Sequence, residues 1–155
     1  MMRVSICFSA LALLLVSSAA LGGANESKHQ NVGKDRLAIE GYDPVAYFDA
    51  GAARKGKGEF TADYNGAVYW FESEEHRKAF AAEPVKYAPA YGGWCATAMA
   101  EGKKVEIDPK SFKITNGRLF LFYNGLFADA RKKWLKDEAN LLGKADAAWK
   151  QTVGE

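Results

Sequence analysis

Two Asn-Gly pairs of the sequence, at positions 65–66 and 116–117, each lie between runs of alternating apolar and polar residues. Asn and Gly tolerate the positive φ angles that both central residues of a tight two-residue turn require. Alternation with a period of two is typical of strands with one buried face. We therefore predict two antiparallel β-hairpins, the first with strands at about residues 59–64 and 67–71 and the second within residues 111–124.

Helical patterns lie between and after the hairpins. Ser73 precedes Glu74 and Glu75, an arrangement typical of a helix N-cap and first turn, and Pro84 ends the pattern. We predict four short helices, at about residues 74–82, 94–101 and 126–142 and over a last segment that contains Ala145, Ala148 and Trp149. Together with the hairpins they predict a small single domain of the α+β class.

The first 24 residues have the layout of a secretory signal peptide. Met1-Met2-Arg3 begins the chain, an apolar run covers residues 4–16, and small residues follow. The run is shorter than the roughly 20 apolar residues that a membrane span needs. We expect cleavage after Ala24, or as second choice after Ala20, and hence a protein exported to the periplasm or the extracellular space. An uncleaved membrane anchor is the alternative.

Composition and charge narrow the possible partners. The chain carries 21 basic and 19 acidic residues, and cleavage removes only Arg3, so the mature net charge is near +1. This near-neutral charge gives no electrostatic case for nucleic acid or an acidic membrane, and no later segment is apolar enough for membrane insertion. Residues 25–36 are polar and predict a flexible leader, and residues 151–155 predict a C-terminal tail.

Cys95 is the one cysteine that remains after cleavage, because Cys7 lies in the signal peptide. No disulfide can then form within the mature chain. An odd cysteine in an exported protein forms an intermolecular bridge, acts as a reactive thiol, binds a metal or packs as an apolar residue. Gly92-Gly93 before Trp94 predicts a sharp turn with Cys95 in the first turn of a helix, where a thiolate is stabilised.

Several segments, taken in order, resemble the YHS domain family in its longer exported form. They are GYDPVAYF, YWFESEEHRKAF, EPVKYAPAYGGWCA, DPKSFKITNGRLFLFYN and a closing Trp followed by KADAAW, and they cover about residues 37–150. The resemblance implies a small α+β domain related to treble-clef and TRASH-like metal-binding modules. Shorter members of the family carry cysteines as metal ligands.

The same resemblance places Ala46, Glu72 and His76 at the ligand positions of the shorter relatives. A thiolate-rich tetrahedral zinc site cannot be formed from that set, since structural zinc sites use four Cys or His ligands. We predict a reduced site of Glu72 and His76, to which the fold brings Cys95, for copper or zinc, with copper(I) favoured by the thiolate. The alternative is a surface ion pair between Glu72 and His76, worth under about 1 kcal/mol.

Tyr87 and Tyr91 are close to Cys95 in the sequence and are predicted to bind a cofactor in a pocket around the thiol. Packing in the core is the alternative for both. No oxyanion hole accompanies Cys95 and His76, so we predict no catalytic residue. The sequence thus favours an exported metal-binding or metal-handling module whose partner is a metal ion or an exported protein. A thiol-dependent redox protein that acts with a partner, and an interaction module with a degenerate metal site, are the alternatives.

Overall fold

The computed structural model describes residues 27–155, and within them the chain forms three two-stranded antiparallel sheets and six α-helices. The strands are β1 Lys57–Tyr64, β2 Ala67–Phe71, β3 Asp108–Thr115, β4 Arg118–Phe122, β5 Asn124–Gly125 and β6 Ala128–Asp129. The helices are α1 Ala46–Asp49, α2 Glu74–Ala82, α3 Pro84–Tyr87, α4 Ala96–Met99, α5 Ala130–Lys136 and α6 Glu138–Val153. Short 3-10 turns cover Ser27–His29, Lys34–Arg36, Ile39–Gly41 and Ala90–Gly93. The predicted α+β class is confirmed.

Both predicted hairpins are present, and each turns at its Asn-Gly pair. Asn65 and Asn116 have φ angles of 48° and 53°, and the glycines that follow have φ angles of 76° and 72°. Positive φ at both central residues is the conformation of the two-residue turn that matches the twist of a hairpin. The strand β1 pairs with β2, and β3 pairs with β4, each antiparallel up to the turn.

The strand β4 is buried on both faces and joins two apolar clusters. Leu119 and Leu121 pack in the cluster that contains the first hairpin and α2. Phe120 and Phe122 lie on the opposite face of the strand and pack in the other cluster, with Trp134 of α5. Because successive side chains of a strand alternate between its faces, this one strand fixes both clusters relative to each other.

The helix predicted over residues 126–142 is wrong in its limits. Leu126 and Phe127 lie in the turn between β5 and β6, and α5 begins only at Ala130. Asp129 determines this start, because its side chain accepts the N–H of Lys132 as an N-cap. At Asp137 the backbone leaves the helical region, with φ −151° and ψ 47°, and the separate helix α6 follows.

Both ends of the described chain are joined to the domain, the first by hydrogen bonds and the last by a helix. Asn31 donates its backbone N–H to the carbonyl of Gly92 at 2.8 Å, and the indole of Trp94 donates to the carbonyl of His29 at 2.9 Å. The helix α6 continues to Val153, so only residues 154–155 follow it.

The predicted signal peptide lies outside the described residues. No helix in residues 27–155 has the length and apolarity to span a membrane.

Asp146 of α6 holds the last helix against the second hairpin. Its carboxylate accepts two hydrogen bonds from Arg118, at 2.9 and 3.2 Å, and one from the hydroxyl of Tyr91 at 2.8 Å. Burial raises the pKa of Asp146, but the hydrogen bonds from Arg118 and Tyr91 outweigh burial and hold that pKa below its usual value. Burial, and after it the hydrogen bond to Asp146, raise the pKa of Tyr91.

We expect the stability that Asp146 contributes to be lost in acid. Because the folded pKa lies below the unfolded one, the contribution is complete above the unfolded value of about 4 and falls as the pH drops toward the folded value. Asp146→Asn is expected to cost about 1 kcal/mol at neutral pH and progressively less below about pH 4. Urea unfolding at several pH values measures this, with Asp35→Asn at an exposed position as control. A cost for Asp146→Asn that does not change with pH would contradict the assignment.

Candidate metal site

Asp43 is completely buried at the entry to α1, and both of its carboxylate oxygens are used. Its Oδ1 accepts the N–H groups of Val45 at 2.8 Å and Ala46 at 3.4 Å. Its Oδ2 accepts the N–H of Glu72 at 2.8 Å. The carboxylate therefore caps the local turn, as expected for an Asp-Pro sequence, and also ties that turn to the end of the first hairpin.

His76 contacts the same carboxylate from the first turn of α2. Ser73 caps this helix, since its hydroxyl accepts the N–H of His76, as the sequence predicts. The helix thereby places the imidazole Nδ1 2.6 Å from Oδ2 of Asp43. The other ring nitrogen, Nε2, lies 3.6 Å from a carboxylate oxygen of Asp49, which is largely exposed. In the tautomer that carries its proton on Nδ1, the imidazole donates to Asp43 and has its lone pair on Nε2.

Glu72 completes a group of three possible metal ligands. Its side chain is partly exposed and lies 3.9 Å from the guanidinium of Arg54. Ligand atoms of Asp43, Glu72 and His76 all lie within 4.8 Å of one another, and this is the only such group among residues 27–155. Glu72 and His76 are predicted from the sequence as ligands, whereas Asp43 is not. The predicted ion pair between Glu72 and His76 is not the contact that forms, because the imidazole pairs with Asp43.

Cys95 is not part of this group. Its side chain is 1% exposed and packs in the cluster around the first hairpin, and its N–H donates to the carbonyl of Val105 at 3.0 Å. Cys95, Lys103 and Lys133 are among the residues that line a separate cavity of about 410 Å³. The prediction that the fold brings Cys95 to Glu72 and His76 is therefore corrected, because Cys95 is the N-cap residue of α4, not part of its first turn, and packs in the core.

Tyr87 and Tyr91 do not line the cavity beside Cys95. Tyr87 is buried and packs edge-on against Phe48, with the ring centres 5.4 Å apart. Tyr91 is also buried, and its hydroxyl donates to Asp146. Tyr91 lines a different cavity, of about 240 Å³, beside Trp149. Both tyrosines are therefore buried away from the cavity that Cys95 lines.

Comparison of the chain with family models, with curated proteins and with solved structures gave no match. The resemblance to YHS domains therefore stays a prediction. The grouping of Asp43, Glu72 and His76 is a feature of the fold and does not depend on that resemblance.

Proposed function

We propose that this protein binds a divalent transition-metal ion, zinc or copper(II), through Glu72 and His76, with Asp43 orienting the imidazole. The observation that carries the proposal is the approach of one imidazole and two carboxylates within 4.8 Å. Imidazole nitrogen and carboxylate oxygen suit zinc and copper(II), whereas copper(I) prefers the sulfur ligands that this group lacks.

The hydrogen bonds of Asp43 assign it a positioning role. Three backbone N–H groups and the imidazole of His76 already occupy its oxygens. A carboxylate that accepts from one ring nitrogen fixes the orientation of the imidazole and raises the basicity of the other nitrogen. His76 is then the nitrogen donor through Nε2, and Glu72 the oxygen donor. With fewer than four protein ligands, the ion keeps positions for water or another molecule, as in a metal-handling rather than a structural site.

Removal of the imidazole is expected to abolish most metal binding. Zinc titrations of the full chain by calorimetry should show at least about tenfold weaker binding for His76→Ala. His29→Ala is the matched control, because His29 is the only other histidine in the chain and lies outside the group. Cys95→Ser should bind as the unaltered protein does. Equal affinity of His76→Ala and the unaltered protein, or a loss in Cys95→Ser, would refute the proposed site.

The other functions that the sequence left open find less support. A thiol-dependent redox protein needs an accessible sulfur, and Cys95 is almost completely buried.

Export to the periplasm or extracellular space remains part of the proposal and is supported by the sequence of residues 1–24.

A further inference from the structure

The turn between β5 and β6 exposes two large apolar side chains. Leu126 is 88% exposed and Phe127 is 95% exposed, and the neighbouring Tyr123 is 39% exposed. Large apolar residues that protrude together, unlike scattered single ones, indicate a contact surface. We call Tyr123, Leu126 and Phe127 the apolar tip.

Hydrogen bonds of the residues that flank the turn hold the apolar tip in place. The N–H of Ala130 donates to the carbonyl of Tyr123 at 3.0 Å, and the amide of Asn124 donates to Asp108 at 3.1 Å. The ring of Tyr123 lies over Gly125, where a Cβ atom would come within 2.1 Å of the phenol oxygen. Glycine at this position therefore allows the ring to pack against its own hairpin. Leu126 and Phe127 extend beyond this anchored base.

Basic residues follow the apolar tip directly. Residues 126–136 contain four basic side chains and one acidic side chain, a net charge of +3, whereas the whole chain has a net charge of +2. The four basic residues, all exposed, are Arg131, Lys132, Lys133 and Lys136. Lys132 pairs with Asp129, and Lys133 pairs with Glu101. Arg131 and Lys136 form no ion pair within residues 27–155, so their charge is available to an anionic surface.

We propose that the apolar tip docks on a membrane surface that contains anionic lipids. Leu126 and Phe127 enter the boundary between headgroups and acyl chains, and the basic residues of α5 contact the lipid phosphates. Paired apolar and basic contacts of this kind give reversible binding in the plane of the interface, without a membrane span. The nearly neutral net charge of the whole chain does not indicate the local excess of positive charge in residues 126–136.

The geometry favours a lipid surface over a protein partner. A specific protein interface buries about 800 Å² on each side, with an apolar centre surrounded by a polar rim. Three side chains on a protruding turn offer much less apolar area. A bilayer accepts such a tip, since the acyl region receives the apolar side chains while the flanking charges stay at the headgroups.

Hydrogen exchange of the full chain, read by mass spectrometry with and without vesicles, tests the proposal. Exchange is measured separately for each segment of the chain. A measurement of total binding would not separate the apolar tip from residues 4–16, which also form an apolar run that favours lipid. We expect at least about threefold slower exchange across residues 123–136 with vesicles of phosphatidylcholine and phosphatidylglycerol, and loss of most of that protection at high salt. The double variant Leu126→Ser/Phe127→Ser should lose the protection, whereas Val85→Ser, at another exposed apolar residue, should keep it.

Two results would overturn the proposal. The first is unchanged exchange across residues 123–136 with anionic vesicles. The second is protection of these residues without vesicles that grows with protein concentration, which would assign the apolar tip to contact with a second copy of the chain. Neither result bears on metal binding, because the apolar tip shares no residue with the Asp43 group.

Discussion

Replacement of Asp43 by alanine is expected to lower the free energy of unfolding by about 3–5 kcal/mol. The change leaves the N–H groups of Val45, Ala46 and Glu72 without their acceptor and removes the partner of His76. An unsatisfied buried donor costs more than the net gain of the hydrogen bond that it lost. Urea denaturation followed by circular dichroism measures the difference.

Two variants show whether the hydrogen bonds of Asp43 are responsible. Asp43→Asn keeps the shape but sets an amide N–H₂ against a backbone N–H, so we expect it to be strongly destabilising as well. Asp49→Asn alters an exposed carboxylate beside the same imidazole and should change stability by no more than about 0.5 kcal/mol. A loss below about 1 kcal/mol for Asp43→Ala would mean that the carboxylate does not organise this junction.

Replacement of Trp134 by alanine is expected to cost about 3–5 kcal/mol. Trp134 is completely buried, and its ring centre lies 5.4 Å from that of Phe120 and 5.6 Å from that of Phe122. Its indole also donates to Glu138 at the start of α6. Truncation removes apolar contacts from both phenylalanines and leaves a cavity that the surrounding helices can fill only partly.

Leu135→Ala is the matched control for the tryptophan, because Leu135 is the next residue on α5 and is 47% exposed. Its replacement should cost less than about 1 kcal/mol in the same urea experiment. Similar losses for the two variants would show that α5 is not held by its buried face. They would contradict the packing of Trp134 against Phe120 and Phe122.

The hairpins and the start of α2 could be predicted because their signals are local. Asn65-Gly66 and its flanking alternation determine the first turn within a few residues, and Ser73 caps α2 from the adjacent position. The contact between Asp43 and His76 joins residues 33 positions apart. No local pattern reports such a contact, so the sequence found Glu72 and His76 but not the carboxylate that positions the imidazole.

Leu126, Phe127 and Cys95 depart from their predicted environments because contacts outside the local pattern decide where they lie. Leu126 and Phe127 fit a helical repeat, but the cap at Asp129 begins the helix later and leaves both side chains in solvent. Cys95 follows two glycines in a way typical of an accessible helix start, yet packing in the first cluster buries the thiol. In each case a tertiary contact or a single capping side chain overrides a periodic pattern.

Diffraction from crystals grown with zinc, measured at the zinc absorption edge, tests the proposed site most directly. We expect an anomalous peak about 2.0–2.1 Å from Nε2 of His76 and within coordination distance of Glu72, with Nδ1 still hydrogen-bonded to Asp43. A peak at Cys95, or no peak near His76 in crystals that hold zinc elsewhere, would contradict the proposal that Asp43, Glu72 and His76 form the metal site.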